Sequence, residues 1–389
     1  MNRQVLCHVR IVFRWICFVA LLAILCPRLN ADFKAGVQAY EKGKYAIALK
    51  EFNLLGSQGH APSQFALGTM YDDGVGVAQD DSAAAKWYRL AADQGHAVAQ
   101  NNLGVLFKNG EGVVQDYGSA VRWFRLAADQ GYQLAQLNLA IMYSRGYGVR
   151  QDFGQAFKLT ELAAMDRAVP VNGDSDSGSR FSIGIGLEGV DIVSLKKREG
   201  KVKTSPGLAS AQFNLAVMYQ EGQGVKRDME SALKWYEAAA NQGYMEAQYN
   251  LGLLHDRFLG SARDTKEAIK WYRLAAKQGY ADAQTNLGLM FEEGRPEFSV
   301  DYKEAIKWYR LSAAQGNTAA QINLGLMYLE GHGVPKDYIQ AYMWFEIAAA
   351  AIDPKAARNR QLLSAKLTSE QIAKAKSLAL SWKPQRATN

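Results

Sequence analysis

The sequence predicts an all-α fold, an α/α solenoid (superhelix) in which a helix pair is copied about seven times, with one more pair in front and a capping helix behind. Three observations predict it. A glutamine recurs at Gln64, Gln100, Gln136, Gln212, Gln248, Gln284 and Gln321, in steps of 36, 36, 76, 36, 36 and 37 residues. A tryptophan column at Trp87, Trp123, Trp235, Trp271, Trp308 and Trp344 keeps that step, with Leu159 standing in once, and an aspartate column runs Asp80, Asp116, Asp152, Asp228, Asp264, Asp301 and Asp337. Within each unit, apolar residues fall at spacings of three and four, the period of one helix face. A fixed period of this length marks stacked units, each too small to bury its apolar side alone.

Residues 1–31 read as a signal peptide. A basic stretch ends at Arg14, twelve apolar residues run from Trp15 to Cys26, and Pro27 precedes a cut expected near Ala31. Twelve apolar residues fall short of the roughly 20 that cross a bilayer as a helix. No stable membrane span is therefore expected after cleavage, and the protein is expected to be periplasmic or secreted; the alternative is an N-terminal membrane anchor. Cys7, Cys17 and Cys26 are all the cysteines and all lie in this leader, so the mature chain has no disulfide, thiolate site or cysteine nucleophile. The net charge of +7 also shrinks, because Arg3, Arg10, Arg14 and Arg28 leave with the leader. What remains is too small to argue for nucleic acid or a lipid surface as partner.

A helix pair is expected over 32–62, then three copies of the unit over 63–167. In the second copy, "AQNNLGVLFKNG" places Leu103, Leu106 and Phe107 on one helix face and stops at Gly110. The loop "GEGVVQD" supplies glycines for backbone angles that other residues resist, and Asp116 caps the next helix. That helix, "YGSAVRWFRLAADQG", sets Ala120, Ala127 and Ala128 beside Trp123 and Phe124 and ends at Gly131. The recurring glycine pairs are thus turns. A phosphate loop would need a strand before it and lysine with Ser/Thr after it, and would occur once.

The period lapses over 168–208, expected as a linker or a two-stranded hairpin alternating through Phe181, Ile183, Ile185 and Leu187. "NGDSDSG" at Asn172–Gly178 spaces oxygens like the start of a calcium loop but lacks the glycine and glutamate that complete one. The basic run from Lys196 to Lys203 reads as a solvated loop. Four more units follow over 209–354, and 355–389 holds the capping helices and tail, with Thr368 and Gln371 spaced as a capping box.

These residues resemble the SEL-1-like repeat, a member of the tetratricopeptide-repeat superfamily. The pattern Ala-x-x-x-Leu-Gly-x-x-Tyr, Gly-x-Gly-Val, Asp-x-x-x-Ala and Trp-Tyr-x-x-Ala-Ala-x-Gln-Gly fits seven units from about Ser63 to Ala351, and 32–62 is similar to a tetratricopeptide-like pair. Three units depart from it: Leu159 and Asp166-Arg167 in the third, Phe258 for glycine in the fifth, an extra residue and Pro296 in the sixth.

Candidate chemistry is sparse. His60 and His96 hold one column in successive units, His255 stands in an aromatic column and His332 in a loop, which does not compose a metal site. The acidic pairs Asp72-Asp73 and Glu292-Glu293 recur at a helix end and read as a solvated face. No serine, histidine and carboxylate arrangement can be picked out. The remaining candidates are Asn102, Asn138, Asn214, Asn250, Asn286 and Asn323, two residues after each opening glutamine, with Ala66 breaking the row. In related tetratricopeptide domains such asparagines face the inner groove and hold peptide backbone, which the resemblance implies for this row; the alternative is a structural hydrogen bond within each unit.

The function expected is a non-catalytic protein–protein interaction scaffold or adaptor of the bacterial periplasm or cell envelope, with no cofactor and no metal, that binds a protein or peptide on an extended surface. The alternative is a β-lactam- or cell-wall-directed enzyme of the family, disfavoured because that branch depends on paired cysteines.

Overall fold

Among the described residues, six of the column's aspartates open helices. The carboxylates of Asp80, Asp116, Asp152, Asp228, Asp301 and Asp337 accept from backbone N–H groups two or three residues on. Each such cap stabilises its helix by about 1 kcal/mol. The computed structural model describes residues 32–165, 208–256, 262–294, 299–351 and 353–384, and every regular element there is a helix. The leader, the cysteines and the expected hairpin, calcium-like stretch and basic run lie outside those residues.

The chain divides into two units, Met1–Ala211 with Gly222–Lys226, and Gln212–Glu221 with Arg227–Asn389. The first holds α1 (32–41) and α2 (Tyr45–Ser57), then α3 (Ala61–Asp73), α4 (Asp81–Asp93), α5 (Ala97–Asn109), α6 (Tyr117–Asp129), α7 (Gln133–Arg145) and α8 (Phe153–Ala164). The second holds most of α9 (Leu208–Glu221), then α10 (Met229–Asn241), α11 (Met245–Leu254), α12 (Ala262–Lys277), α13 (Ala281–Glu293), α14 (Tyr302–Ala314), α15 (Thr318–Glu330) and α16 (Tyr338–Ala350). It closes with α17 (Pro354–Ser364) and α18 (Ser369–Ser381), whose Ala356, Leu363 and Ala375 cover Phe345 and Ala348 of α16. The capping box read from Thr368 and Gln371 is formed.

Within a pair, a glycine on the first helix admits a ring from the second. A methyl on Gly104 would stand 2.7 Å from the Phe124 ring, one on Gly288 2.6 Å from Tyr309, and Gly68, Gly252 and Gly325 face Tyr88, Tyr272 and Phe345 the same way. The helices close on each other because these side chains are absent. Gly112 does the same job between pairs: its φ is 63° and its α-carbon lies against the backbone of Asp81, so only glycine fits there.

Between pairs, the tryptophan column is the cement. Trp87 packs on the core of Phe52 and Met70, Trp123 on that of Tyr88 and Leu103, and Leu159 on that of Phe124. In the second unit Trp271, Trp308 and Trp344 each reach back to the preceding pair, around Tyr236, Tyr272 and Tyr309 respectively. Each buried aromatic of this size removes roughly 150–250 Å² from water, so a pair is held chiefly by its neighbour.

The three irregular units differ where the sequence departs. α8 ends on an extended Met165 without a Gln-Gly turn. α11 has 10 residues where α5 has 13, and passes into a wider turn at 255–256, since the capping glycine is missing. At Gly294 ψ is 170°, against 28° at Gly110, so the chain leaves α13 in another direction where the extra residue enters.

Candidate functional site

The first helices carry both the glutamine and the asparagine columns, and the structure gives the two different work. The opening glutamines are buried, and four of them donate from Nε2 to a carbonyl at the end of the preceding pair, Gln64 to Gly56, Gln100 to Ala92, Gln248 to Ala240 and Gln284 to Ala276, at 2.9 to 3.1 Å; Gln136 and Gln321 reach Ala128 and Ala313 at 3.4 Å. In the first four, Oε1 accepts from the Gln-Gly glutamine of the same pair. Gln94 reaches Gln64 and Gln130 reaches Gln100 at 2.7 Å, and Gln278 reaches Gln248 and Gln315 reaches Gln284 at 2.8 Å. Both ends of these four buried amides are thus satisfied, as burial requires, whereas Gln136, whose pair has no Gln-Gly, keeps a buried Oε1 with no partner among the described residues.

The asparagine row meets a tyrosine. The hydroxyl of Tyr88 donates to Asp72 at 3.0 Å and is hydrogen-bonded by Asn102 of the next pair. Tyr236 donates to Gln220 at 3.0 Å and is bonded by Asn250; Tyr309 donates to Glu292 at 2.5 Å and is bonded by Asn323. Asn286 Nδ2 reaches the Tyr272 hydroxyl at 3.4 Å. Phe124 has no hydroxyl to offer, and Asn138 instead donates at 2.8 Å to Asn101, whose own amide lies 3.3 Å from Asn102. The structural bond therefore runs between consecutive pairs, since the second helix of one pair packs beside the first helix of the next.

Burial divides the row. Asn102 and Asn138 are buried, while Asn214, Asn250, Asn286 and Asn323 are half-buried. Three residues on, on the same helix face, stand Val217, Leu253, Leu289 and Leu326 in the second unit, half-buried except for Leu289, which is exposed. The tyrosines are what sequence reasoning missed.

The acids are not wholly solvated. Asp72 and Glu292 are half-buried under their tyrosines, while Asp73 and Glu293 are exposed. Burial pushes the Asp72 carboxyl up to about 6, against the opposing hydrogen bond from Tyr88, and the charges of Asp73, Asp81 and Glu111 add to the rise. Burial, again opposed by a tyrosine bond, raises Glu292, with Glu330 contributing. Burial and the neighbouring carboxylates likewise hold the Tyr88 and Tyr309 hydroxyls protonated.

His60 and His96 stand at helix starts, whereas His255 follows the end of α11 and His332 lies in the loop after α15. His96 Nδ1 accepts from Ala99 N–H at 3.2 Å, and its ring stacks on Phe65 with centroids 4.7 Å apart. Burial lowers its pKa to about 4, which keeps the ring neutral and Nδ1 free to accept. His60 Nδ1 lies 2.8 Å from Ser63 Oγ in the same column. Among the described residues, no three His, Cys, Asp or Glu side chains gather as a metal site would need, and no helix is long and apolar enough to cross a membrane.

A crystal structure of a Sel1 repeat protein from Oxalobacter formigenes is similar over 90% of both chains, with 29% identity and a TM-score of 0.60. A protective antigen of uropathogenic Escherichia coli strains, described as displaying an SLR fold, is 30% identical over 90% of this chain and 75% of its own, with a TM-score of 0.46. An exopolysaccharide production negative regulator of Rhizobium leguminosarum bv. viciae is 43% identical over 54 residues, so this chain spans only 20% of that relative's length. The Sel1 repeat model matches seven times, at residues 61–96, 97–132, 133–166, 209–244, 246–280, 281–317 and 318–353. Those segments make up more than half of the chain and contain the glutamine, asparagine and tryptophan columns, and the protein accordingly belongs to the Sel1 repeat family.

Proposed function

We propose that the protein is a non-catalytic scaffold or adaptor of the bacterial periplasm or cell envelope, exported by its leader, that holds a protein or peptide partner on the solenoid surface. One observation carries this reading. The polar side chains that recur, Gln64, Gln100, Tyr88, Asn102 and their counterparts, are occupied in joining one helix pair to the next. Chemistry copied along a chain in this way suits an extended contact better than a single reacting centre. Family membership agrees, since Sel1 repeats are typically interaction modules, and a relative over a short stretch bears the name of a regulator.

The partner surface proposed is the asparagine face of the first helices, in the second unit above all. There Asn214, Asn250, Asn286 and Asn323 keep partial exposure beside Val217, Leu253, Leu289 and Leu326. A half-used amide next to an apolar side chain offers a peptide both a backbone hydrogen bond and a contact for its side chain. Asn102 and Asn138, the matching positions of the first unit, are buried and serve to join that unit's own helix pairs.

Crosslinking in the native cell envelope, followed by identification of the captured proteins, tests the proposal. A reproducible partner should be lost when Asn250, Asn286 and Asn323 are replaced by aspartate. Recovering none in repeated trials at native expression counts against the scaffold, and turnover of a chromogenic β-lactam above background would overturn its non-catalytic part. Intact mass of the purified protein tests export: a species that retains residues 1–31 excludes the released form.

A further inference from the structure

We propose that the outer face of α4 and α6 is a two-fold contact between two copies of this chain. Four leucines stand on that side of the first unit, Leu54, Leu90, Leu126 and Leu162, one on each of α2, α4, α6 and α8 and 36 residues apart, with 53%, 47%, 48% and 44% of their surface exposed. Their helices are neighbours: Trp87 of α4 packs on the α2 core, Trp123 of α6 on the α4 core and Leu159 of α8 on the α6 core, while the Arg89 guanidinium lies 5.9 Å from the Trp123 ring. The 36-residue step puts each leucine at the same place on the second helix of its pair, so the leucines form a row that runs from one pair to the next. Single exposed leucines are ordinary; a row of four on one face is a patch.

Charge identifies the occupant. On α4, Lys86 stands four residues before Leu90 and Asp93 three after; on α6, Arg122 and Asp129 flank Leu126 in the same way, and all four charged side chains are exposed. At about 100° per residue, cation, leucine and acid share one narrow strip of each helix. A two-fold axis running along the leucine row lays α4 antiparallel on the partner's α4, and α6 on the partner's α6. Leu90 then meets the partner's Leu90, Lys86 faces the partner's Asp93, and Arg122 faces the partner's Asp129. The face is self-complementary, which is what an isologous interface requires. Turned about the perpendicular axis, like charges would meet, so the pattern also selects the orientation. Lys50 and Lys158 extend the cationic edge on α2 and α8.

The second unit lacks the arrangement, although its helices come from the same template. Its lysines are bonded to acids of their own helices, Lys234 to Glu230, Lys270 to Glu267 and Lys307 to Glu304, whereas Arg122 of the first unit donates to the Ser119 hydroxyl at 2.8 Å beside the capping Asp116. The positions matching Asp93 are Asn241, Lys277, Ala314 and Ala350, none of them acidic, and only Leu274 and Leu311 keep the leucine, between Ala238 and Ile347. The contact is therefore assigned to the first unit alone.

Sedimentation velocity of the purified protein, from roughly 1 to 200 µM at low and at high salt, is the test. A monomer–dimer equilibrium weakened by salt is expected. Lys86→Asp with Arg122→Asp, or Asp93→Lys with Asp129→Lys, should each weaken the dimer at least about tenfold by setting like charges face to face. All four changes together should restore it, and circular dichroism will show each variant folded because the altered side chains are exposed. A monomer at every concentration, a dimer indifferent to both charge pairs, or no recovery in the fourfold variant would each overturn the assignment.

Discussion

The hydroxyl of Tyr88 is held between Asp72 of its own helix pair and Asn102 of the next. From Asn102 the polar contacts continue through Asn101 to Asn138, so one hydrogen-bonded chain joins three consecutive pairs across α3, α4, α5 and α7. A stack in which each pair touches only its neighbours needs such ties, because apolar packing alone leaves the register between pairs loosely specified.

Removing the hydroxyl should therefore cost more than one hydrogen bond. Tyr88→Phe leaves Asp72 and Asn102 without their shared partner and is expected to destabilise the protein by about 1–3 kcal/mol. Adding Asp72→Leu, which copies the Leu329 and Phe345 found in the last unit, should recover part of that loss. Urea unfolding of the two single variants and the double variant measures the coupling; strictly additive losses would show that the contact carries no energy.

Asp72 makes stability depend on pH in an unusual direction. Its folded pKa of about 6 lies above the ordinary 3.8, so between those values the folded state binds more protons than the unfolded one. Stability from this group is gained as pH falls from 6 towards 4 and lost as pH rises. Asp72→Asn, neutral throughout, should be the more stable protein at pH 7 by on the order of 1 kcal/mol, a figure discounted for the carboxyl's partial exposure, and should match the wild type at pH 4. Thermal unfolding at the two pH values decides.

His96 works in the opposite sense. With a folded pKa of about 4 against 6.5, it is the unfolded chain that takes up the proton first, and stability is lost as pH falls from 6.5 to 4. Asn317 occupies the same column and caps Ala320 N–H at 3.0 Å. His96→Asn is thus expected to keep the cap, to flatten the pH profile between 6.5 and 4, and to lower stability at pH 7 by about 1 kcal/mol through the lost stacking on Phe65. An unchanged profile would mean that the ring titrates normally.

The glycines separate two kinds of space. Gly104→Ala pushes a methyl into the Phe124 ring, which can tilt, and should cost about 1–3 kcal/mol. Gly112→Ala meets the fixed backbone of Asp81 and adds a positive φ of 63°, so it should cost more. Melting temperatures of both variants rank them; equal losses would show that the loop moves aside freely.

Much of the fold is legible without coordinates. The 36-residue step places every helix pair, because it reports burial of one apolar side against the next copy, and the capping aspartates and the Thr368–Gln371 box are local chemistry set by neighbours in the chain. The tyrosine tie had a signal too. Tyr88, Tyr236, Tyr272 and Tyr309 are matched by Asp72, Gln220, Asp256 and Glu292 at the end of the preceding helix, whereas Phe124, Thr160 and Phe345 are matched by Lys108, Ser144 and Leu329. An acceptor stands at that position wherever the second helix offers a hydroxyl on a ring. The asparagine row, by contrast, reads the same whether it bonds within its pair, to the next pair or to a partner.

What the sequence by itself determined is periodic: helix pairs, their turns, their caps and the columns of a Sel1 repeat, all of which follow from interactions a few residues apart or repeated at one interval. Only the tertiary structure decided what those columns touch. That Asn102 bonds to Tyr88, that Asp72 is half-buried, and that Leu90 and Lys86 face outward depends on which sides of neighbouring helices come together. A column of identical residues carries no record of direction, because side-chain geometry and the exclusion of water are fixed only when one pair settles onto another.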